Sequence, residues 1–272
     1  MSRLRTRTPP LFDPEFLDSA AARPIRFLSE YLEPEDRLAR LGVRDTVVFL
    51  GSSRIPEPAQ AEAALERARR GGGDVAEAER MVAMSAFHDR ARELARRLTE
   101  WSRAQAEDGH RFVVCTGGGP GLMASANLGA CDAGGPTIGL NIEIPGLQPV
   151  NPHVPAELSF EFRYFFMRKF WFVYMAKAIV VLPGGFGTLD EFFEVLTLKQ
   201  TGKVAGPLPI VLLGAEFWRD VVDFEALVRY GTVRRADLAL FRVTDSVDQA
   251  FDFLTAELGR RPLVTPGPAM AP

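Results

Sequence analysis

Residues 178–191 read AIVVLPGGFGTLDE, and this stretch decides the fold. Ala178 to Leu182 is apolar without alternation, as expected of a parallel strand covered on both faces. Pro183-Gly184-Gly185 then turns the chain, and a helical pattern opens through Gly187 to Glu191. A strand running into a glycine turn and a helix is one half-unit of an open α/β sheet. The same order recurs outward from it. Thr46 to Leu50, Phe112 to Cys115, Thr137 to Ile142 and Pro209 to Leu213 are similar apolar runs, each followed by a turn signal and a helical pattern. The last four of the five runs are separated by segments long enough for a crossover helix.

The predicted class is therefore α/β, a Rossmann-like open, mostly parallel sheet with helices on both faces and right-handed crossovers. Phe87, Ala91, Leu94, Leu98 and Trp101 form one apolar stripe on a long amphipathic helix before the second strand. Ala59 to Arg70 is rich in Ala, Glu and Arg and reads as a helix closed by Gly71-Gly72-Gly73. Residues 1–43 are expected to be an N-terminal arm, 44–259 the Rossmann-like domain, and 260–272, with its prolines, a flexible tail.

Composition narrows the function. The 272 residues carry 32 Lys and Arg against 35 Asp and Glu, a net charge of −3. That lacks the concentrated basic surface of a general nucleic-acid binder. Cys115 and Cys131 cannot build a disulfide scaffold or a zinc site. His88, His110 and His153 have no metal-ligand spacing and read as surface or core residues, and both cysteines as packing residues. Met1 to Pro10 shows no secretory signal, which points to a reducing cytoplasm. Residues 160–182 are very apolar, but Glu161, Arg163, Arg168, Lys169 and Lys177 within them argue against a membrane span. Nine aromatics between Phe160 and Tyr174 exceed what one face of a surface helix buries, which predicts a helix buried on several sides at a protomer interface.

A second glycine turn, Gly117-Gly118-Gly119-Pro120-Gly121, also ends a strand and opens a helix. Glycine lets the backbone approach a ligand closely, and a helix start offers free N–H groups and a positive dipole end. Gly118, Gly119 and Gly121 on one loop, and Gly184, Gly185 and Gly187 on the other, are the candidates to cradle a phosphate. Gly51-Ser52-Ser53-Arg54 after the first run adds hydroxyl and guanidinium donors, with Ser52 a binding candidate. All three loops should lie at the carboxyl edge of the sheet. The competing explanation is that tight turns need glycine for steric reasons alone. Neither loop ends in Gly-Lys-Ser/Thr, so neither is a Walker A sequence. Glu143, 22 residues after Gly121, stands near where a dinucleotide site keeps its ribose-binding acid, but the spacing Gly117-x-Gly119-x-Gly121 departs from that fingerprint.

Taken together, these motifs resemble the lonely-guy family of nucleoside 5′-monophosphate phosphoribohydrolases, long mislabelled as lysine decarboxylases. Its Pro-Gly-Gly-x-Gly-Thr-x-x-Glu pattern is met in full by Pro183 to Glu191. Gly117 to Met123 meets its Gly-Gly-Gly-x-Gly-Leu-Met element, and Arg168-Lys169 its Arg-Lys pair; the similarity runs from about Thr46 to Phe253. Phe165-Phe166 stand where many members carry Met-His, as in the longer bacterial branch. The resemblance implies a homodimer or higher homo-oligomer with its sites near the dimer contact, and hydrolysis of the bond between a base and ribose 5-phosphate without metal or cofactor. AMP is the expected substrate, or a cytokinin riboside 5′-monophosphate where the organism makes such compounds. Arg168 and Glu191 would be catalytic. Ser52, Gly118, Gly119, Gly121, Glu143, Lys169, Gly184, Gly185, Gly187, Thr188, Asp190 and Thr197 would bind substrate.

The residues support that chemistry on their own terms. Cleaving an N-glycosidic bond builds positive charge on the sugar, and a nearby carboxylate stabilises it or activates water. Glu191 lies one turn into a helix whose start would hold the phosphate, and Arg168 offers a fixed positive fork. The bland alternative for Glu191 is a capping box with Thr188; for Arg168 and Lys169 it is a pair of charges snorkelling from a packed helix. Two other functions compete: a non-catalytic nucleotide or cofactor carrier on the same fold, and a decarboxylase. The second needs a pyridoxal-phosphate lysine, for which Lys169, Lys177, Lys199 and Lys203 offer no supporting context.

Overall fold

The computed structural model describes residues 8–105, 111–145, 150–204, 206 and 208–259. His110 and the expected tail 260–272 lie outside them. Seven parallel strands form one sheet: β1 (Thr46–Leu50), β2 (Val113–Thr116), β3 (Thr137–Ile142), β4 (Ser159–Phe162), β5 (Ala176–Val181), β6 (Ile210–Leu213) and β7 (Arg242–Thr244). Their order is β4-β3-β2-β1-β5-β6-β7. The α/β reading holds, and two edge strands join the five inner ones. Both edge strands escape an apolar-run search for a physical reason. β4 alternates with Glu161 outward, and β7 is three residues long with two of them exposed.

Helices are α1 (Pro14–Asp18), α2 (Arg23–Arg40), α3 (Pro58–Arg67), α4 (Val75–Ser85), α5 (Phe87–Gln105), α6 (Leu122–Asp132), α7 (Phe165–Tyr174), α8 (Phe186–Gln200), α9 (Ala215–Val221), α10 (Phe224–Arg229) and α11 (Val247–Gly259). Alternate strand residues feed two cores. Val47, Phe49, Val114, Val180 and Val211 meet Ala91, Leu94 and Leu98 of α5, Ala126 of α6 and Leu254 of α11. Val48, Leu50, Ile138, Ile179 and Leu212 meet Leu38 of α2, Trp171 of α7, Phe192 of α8 and Trp218 of α9. Burial on both faces is why the inner strands read as unbroken apolar runs. The predicted stripe lies on α5, with Phe87, Ala91, Leu94 and Leu98 buried and Trp101 packed on Phe112 at 5.3 Å. α3 continues into a wider turn that ends where Gly71 takes φ +91.

Before β1 the described chain is mostly helical and docks on the domain. Glu30 of α2 accepts from the amides of Arg163 (2.9 Å) and Tyr164 (3.3 Å), and its carbonyl accepts from the Trp171 indole (2.9 Å). Glu30 therefore occupies the entry to α7, the helix that carries Arg168. At the amino edge of the sheet, Asp45 and Arg111 form a buried ion pair (2.7 Å), and Asp45 also accepts from the Phe112 amide.

Candidate active site

β1 lies between β2 and β5, so the three predicted loops meet at the carboxyl edge of adjacent strands. Ser52 ties them together: its amide donates to Pro183 O (3.0 Å) and its carbonyl accepts from Leu122 N (3.0 Å). Its hydroxyl accepts from Arg54 N (3.1 Å), closing the turn. Gly121 packs so tightly here that a Cβ would stand 2.5 Å from Ser52 O, and its φ is +69. For Gly121 the steric explanation is sufficient.

For Gly185 and Gly187 it fails. A Cβ at either would meet nothing within 4 Å, and neither has a positive φ. The fold does not need glycine at these two positions, both of which are exposed. Their bareness keeps open the ground in front of the α8 start, where no side chain caps the helix. An anion fits that description. Replacing Gly187 by Ala should therefore stabilise α8, by up to about 1 kcal/mol, while weakening binding of AMP. Chemical denaturation and calorimetry on one protein sample read the two signs. Unchanged AMP affinity would place the ligand elsewhere.

The capping box is corrected by the structure. α8 begins at Phe186 with Gly185 as its N-cap, three residues before the spacing suggested, so Thr188 is buried inside the first turn. Glu191 is free of the cap and turns instead to Arg168, whose Nη1 lies 3.3 Å from Oε1. Arg168 does not snorkel. It is 9% exposed, donates from Nε to Leu140 O (2.6 Å), lies 5.0 Å over the Phe172 ring, and its guanidinium rests against Gly117, where a Cβ would collide with it. Burial pushes the Glu191 carboxyl up to about 7 against the pull of Arg168. A carboxyl poised there can exchange a proton at neutral pH. Burial also lowers the Arg168 pKa, opposed by Glu191. Beneath the pair, burial pushes the Cys115 thiol up, so it is no nucleophile.

Lys169 bridges the same two helices one position on, with Nζ 3.2 Å from Asp190 and 2.9 Å from Glu194. Glu143 is exposed just past β3, its amide donating to Phe162 O. Thr197 lies almost two turns beyond Glu191, exposed, its hydroxyl donating to Phe193 O within the helix; the structure does not bring it to the loops. His88 is buried between Ser125 Oγ (2.6 Å) and Ile55 O (3.1 Å). Cys131, expected to pack, is exposed on α6. Among the described residues no group of three or more His, Cys, Asp and Glu could hold a metal ion, and no helix is long and apolar enough to cross a membrane.

The support of the first glycine loop has no counterpart among the sequence motifs. Asn151 donates from its amide to Gly118 O (2.8 Å) and from Nδ2 to Gly119 O (3.1 Å) and Asn127 Oδ1 (2.9 Å). Asn127, fully buried, also accepts from the Thr116 hydroxyl (2.7 Å), which in turn accepts from Gly118 N. Isolated asparagines have no spacing signature, and only the fold brings them together.

Residues 123–254 match the family model described as "Possible lysine decarboxylase". The chain is 30% identical over 112 residues to a cytokinin riboside 5′-monophosphate phosphoribohydrolase of Rhodococcoides fascians, covering 41% of this chain and 56% of that one. It is 31% identical over 110 residues to a probable cytokinin riboside 5′-monophosphate phosphoribohydrolase of Arabidopsis thaliana, covering 40% and 53%. The matches thus span about half the length of these curated relatives. Among solved structures, a molybdenum cofactor carrier protein from Chlamydomonas reinhardtii superposes with a TM-score of 0.46 at 21% identity, covering 80% of this chain and 100% of that one.

Proposed function

We propose, from the resemblance of its motifs to the lonely-guy family and the family-model match over residues 123–254, that the protein hydrolyses nucleoside 5′-monophosphates to free base and ribose 5-phosphate. AMP is the leading substrate, with cytokinin riboside 5′-monophosphate as the close variant. The observation that carries the reading is Glu191, buried against Arg168 one turn past an uncapped, unobstructed helix start.

The 5′-phosphate binds at the start of α8, against Gly185 and Gly187, with the ribose directed at Glu191. As the bond from C1′ to the base nitrogen breaks, its electron pair leaves with the base and C1′ becomes cationic. Glu191, ionised at that moment, faces the growing charge and accepts a proton from the water that adds to C1′. A proton returns to the departing base, which leaves neutral. Arg168 holds Glu191 in place and keeps its ionised form accessible despite burial. Lys169 is engaged by Asp190 and Glu194, so it is poorly placed to form the Schiff base that a decarboxylase needs. The reading carries with it a homodimer or higher homo-oligomer, as the family resemblance implies, working in the cytoplasm.

Incubation with AMP should release adenine and ribose 5-phosphate in equal amounts. AMP that is bound and recovered intact would instead make this protein a carrier.

A further inference from the structure

Phe165 opens α7 at the carboxyl rim, directly after the edge strand β4. A phenyl ring gains from leaving water, yet Phe165 remains 55% exposed. Its neighbour Phe166 packs on Phe27 (5.0 Å) and Tyr164 (5.8 Å), whereas Phe165 makes no such ring contact among the described residues. The ring stands one turn before Arg168, on the same face of the helix. Helical side chains lean toward the N-terminus, which here is the rim where the glycine loops end.

The path of a nucleotide can be followed from these positions. With its phosphate at the α8 start, which follows β5, and its sugar at Glu191, its base must extend across β1 and β2. Arg168 marks that path, because it touches Glu191 at one end and Leu140 of β3 at the other. Phe165 lies next along it. β5 and β3 are three strand spacings of about 4.8 Å apart, a span of the order of the ligand itself.

We propose that Phe165 is the platform on which the nucleobase stacks, and so the residue by which the site distinguishes a nucleotide from a bare sugar phosphate. This rests on the nucleotide reading above but not on turnover. Every base has a π-face, so the platform favours bases as a class rather than one of them.

Binding of AMP and of ribose 5-phosphate is measured by calorimetry in the Glu191→Gln background, where the ligand persists. Phe165→Ala should weaken AMP by about tenfold or more and leave ribose 5-phosphate unchanged, while Phe165→Trp keeps AMP affinity. Unchanged AMP affinity in Phe165→Ala overturns the inference, and if light scattering then shows an altered mass, the ring belongs to a subunit contact. Equal weakening of both ligands also overturns it, since the role is then structural. AMP bound but never cleaved by the unmodified protein would sink the hydrolase reading and leave this one standing. No AMP binding at all removes both.

Discussion

Glu191→Gln is expected to leave a folded protein whose kcat on AMP falls by about 10² to 10⁴, the usual scale for one acid–base group. The amide keeps the size of the side chain and an oxygen for Arg168, 3.3 Å away in the parent, but cannot take a proton or face a cationic sugar. Affinity for AMP should survive, because the phosphate site proposed at Gly185 and Gly187 does not involve this carboxyl. The pH profile gives a second readout. With the carboxyl pushed up to about 7 by burial, kcat/KM of the parent should rise through that region as Glu191 ionises, and the variant should lose that limb. Stability follows the opposite sign. A carboxyl with a raised folded-state pKa keeps its proton between about 4.5 and about 7 while the unfolded chain releases it. The parent therefore loses stability as pH rises through that window, and Glu191→Gln should show a shallower slope. Wild-type turnover in Glu191→Gln, with Asp190→Asn dead, would move the chemistry one residue back along α8.

The largest stability loss is expected far from the loops. Asp45, 1% exposed, holds the Arg111 guanidinium at 2.7 Å and the Phe112 amide at the amino edge of the sheet. Asp45→Ala leaves a buried cation and a buried N–H without their acceptor, at a cost of about 3 to 5 kcal/mol, or a Tm lower by roughly 6 to 20 °C. Asp45→Asn should cost less, since its oxygen still serves Phe112. Both variants should cleave AMP normally at low temperature, because the loops occupy the other end of the strands. A loss under about 1 kcal/mol in denaturant would mean that water reaches Arg111 and replaces the pair.

What was legible in the sequence follows the same physics. Inner strands such as Ala178 to Leu182 announce themselves because both faces are buried, and the α5 stripe because one face is. β4 and β7 sit at the edges, where the apolar signal halves or the strand shortens. α8 starts at Phe186 with Gly185 as its N-cap, so the spacing of Thr188 and Glu191 misled: a capping box is a pattern of two residues, and here both already lie inside the helix. The aromatic density around α7 pointed to burial. The structure buries Trp171 and Phe172 but leaves Phe165 and Phe166 more than half exposed. Asn127 and Asn151 were silent, since their meaning arises only when β2, α6 and the segment after β3 come together.

Everything proposed for the site depends on an anion held at the α8 start and positioning a sugar for Glu191. The most direct test is kcat/KM for AMP against adenosine under identical conditions. If the phosphate supplies most of the orientation, adenosine should be slower by about two orders of magnitude or more, with adenine released readily from AMP. Equal turnover of the two would mean that the loops are only turns and that no phosphate grip directs the chemistry.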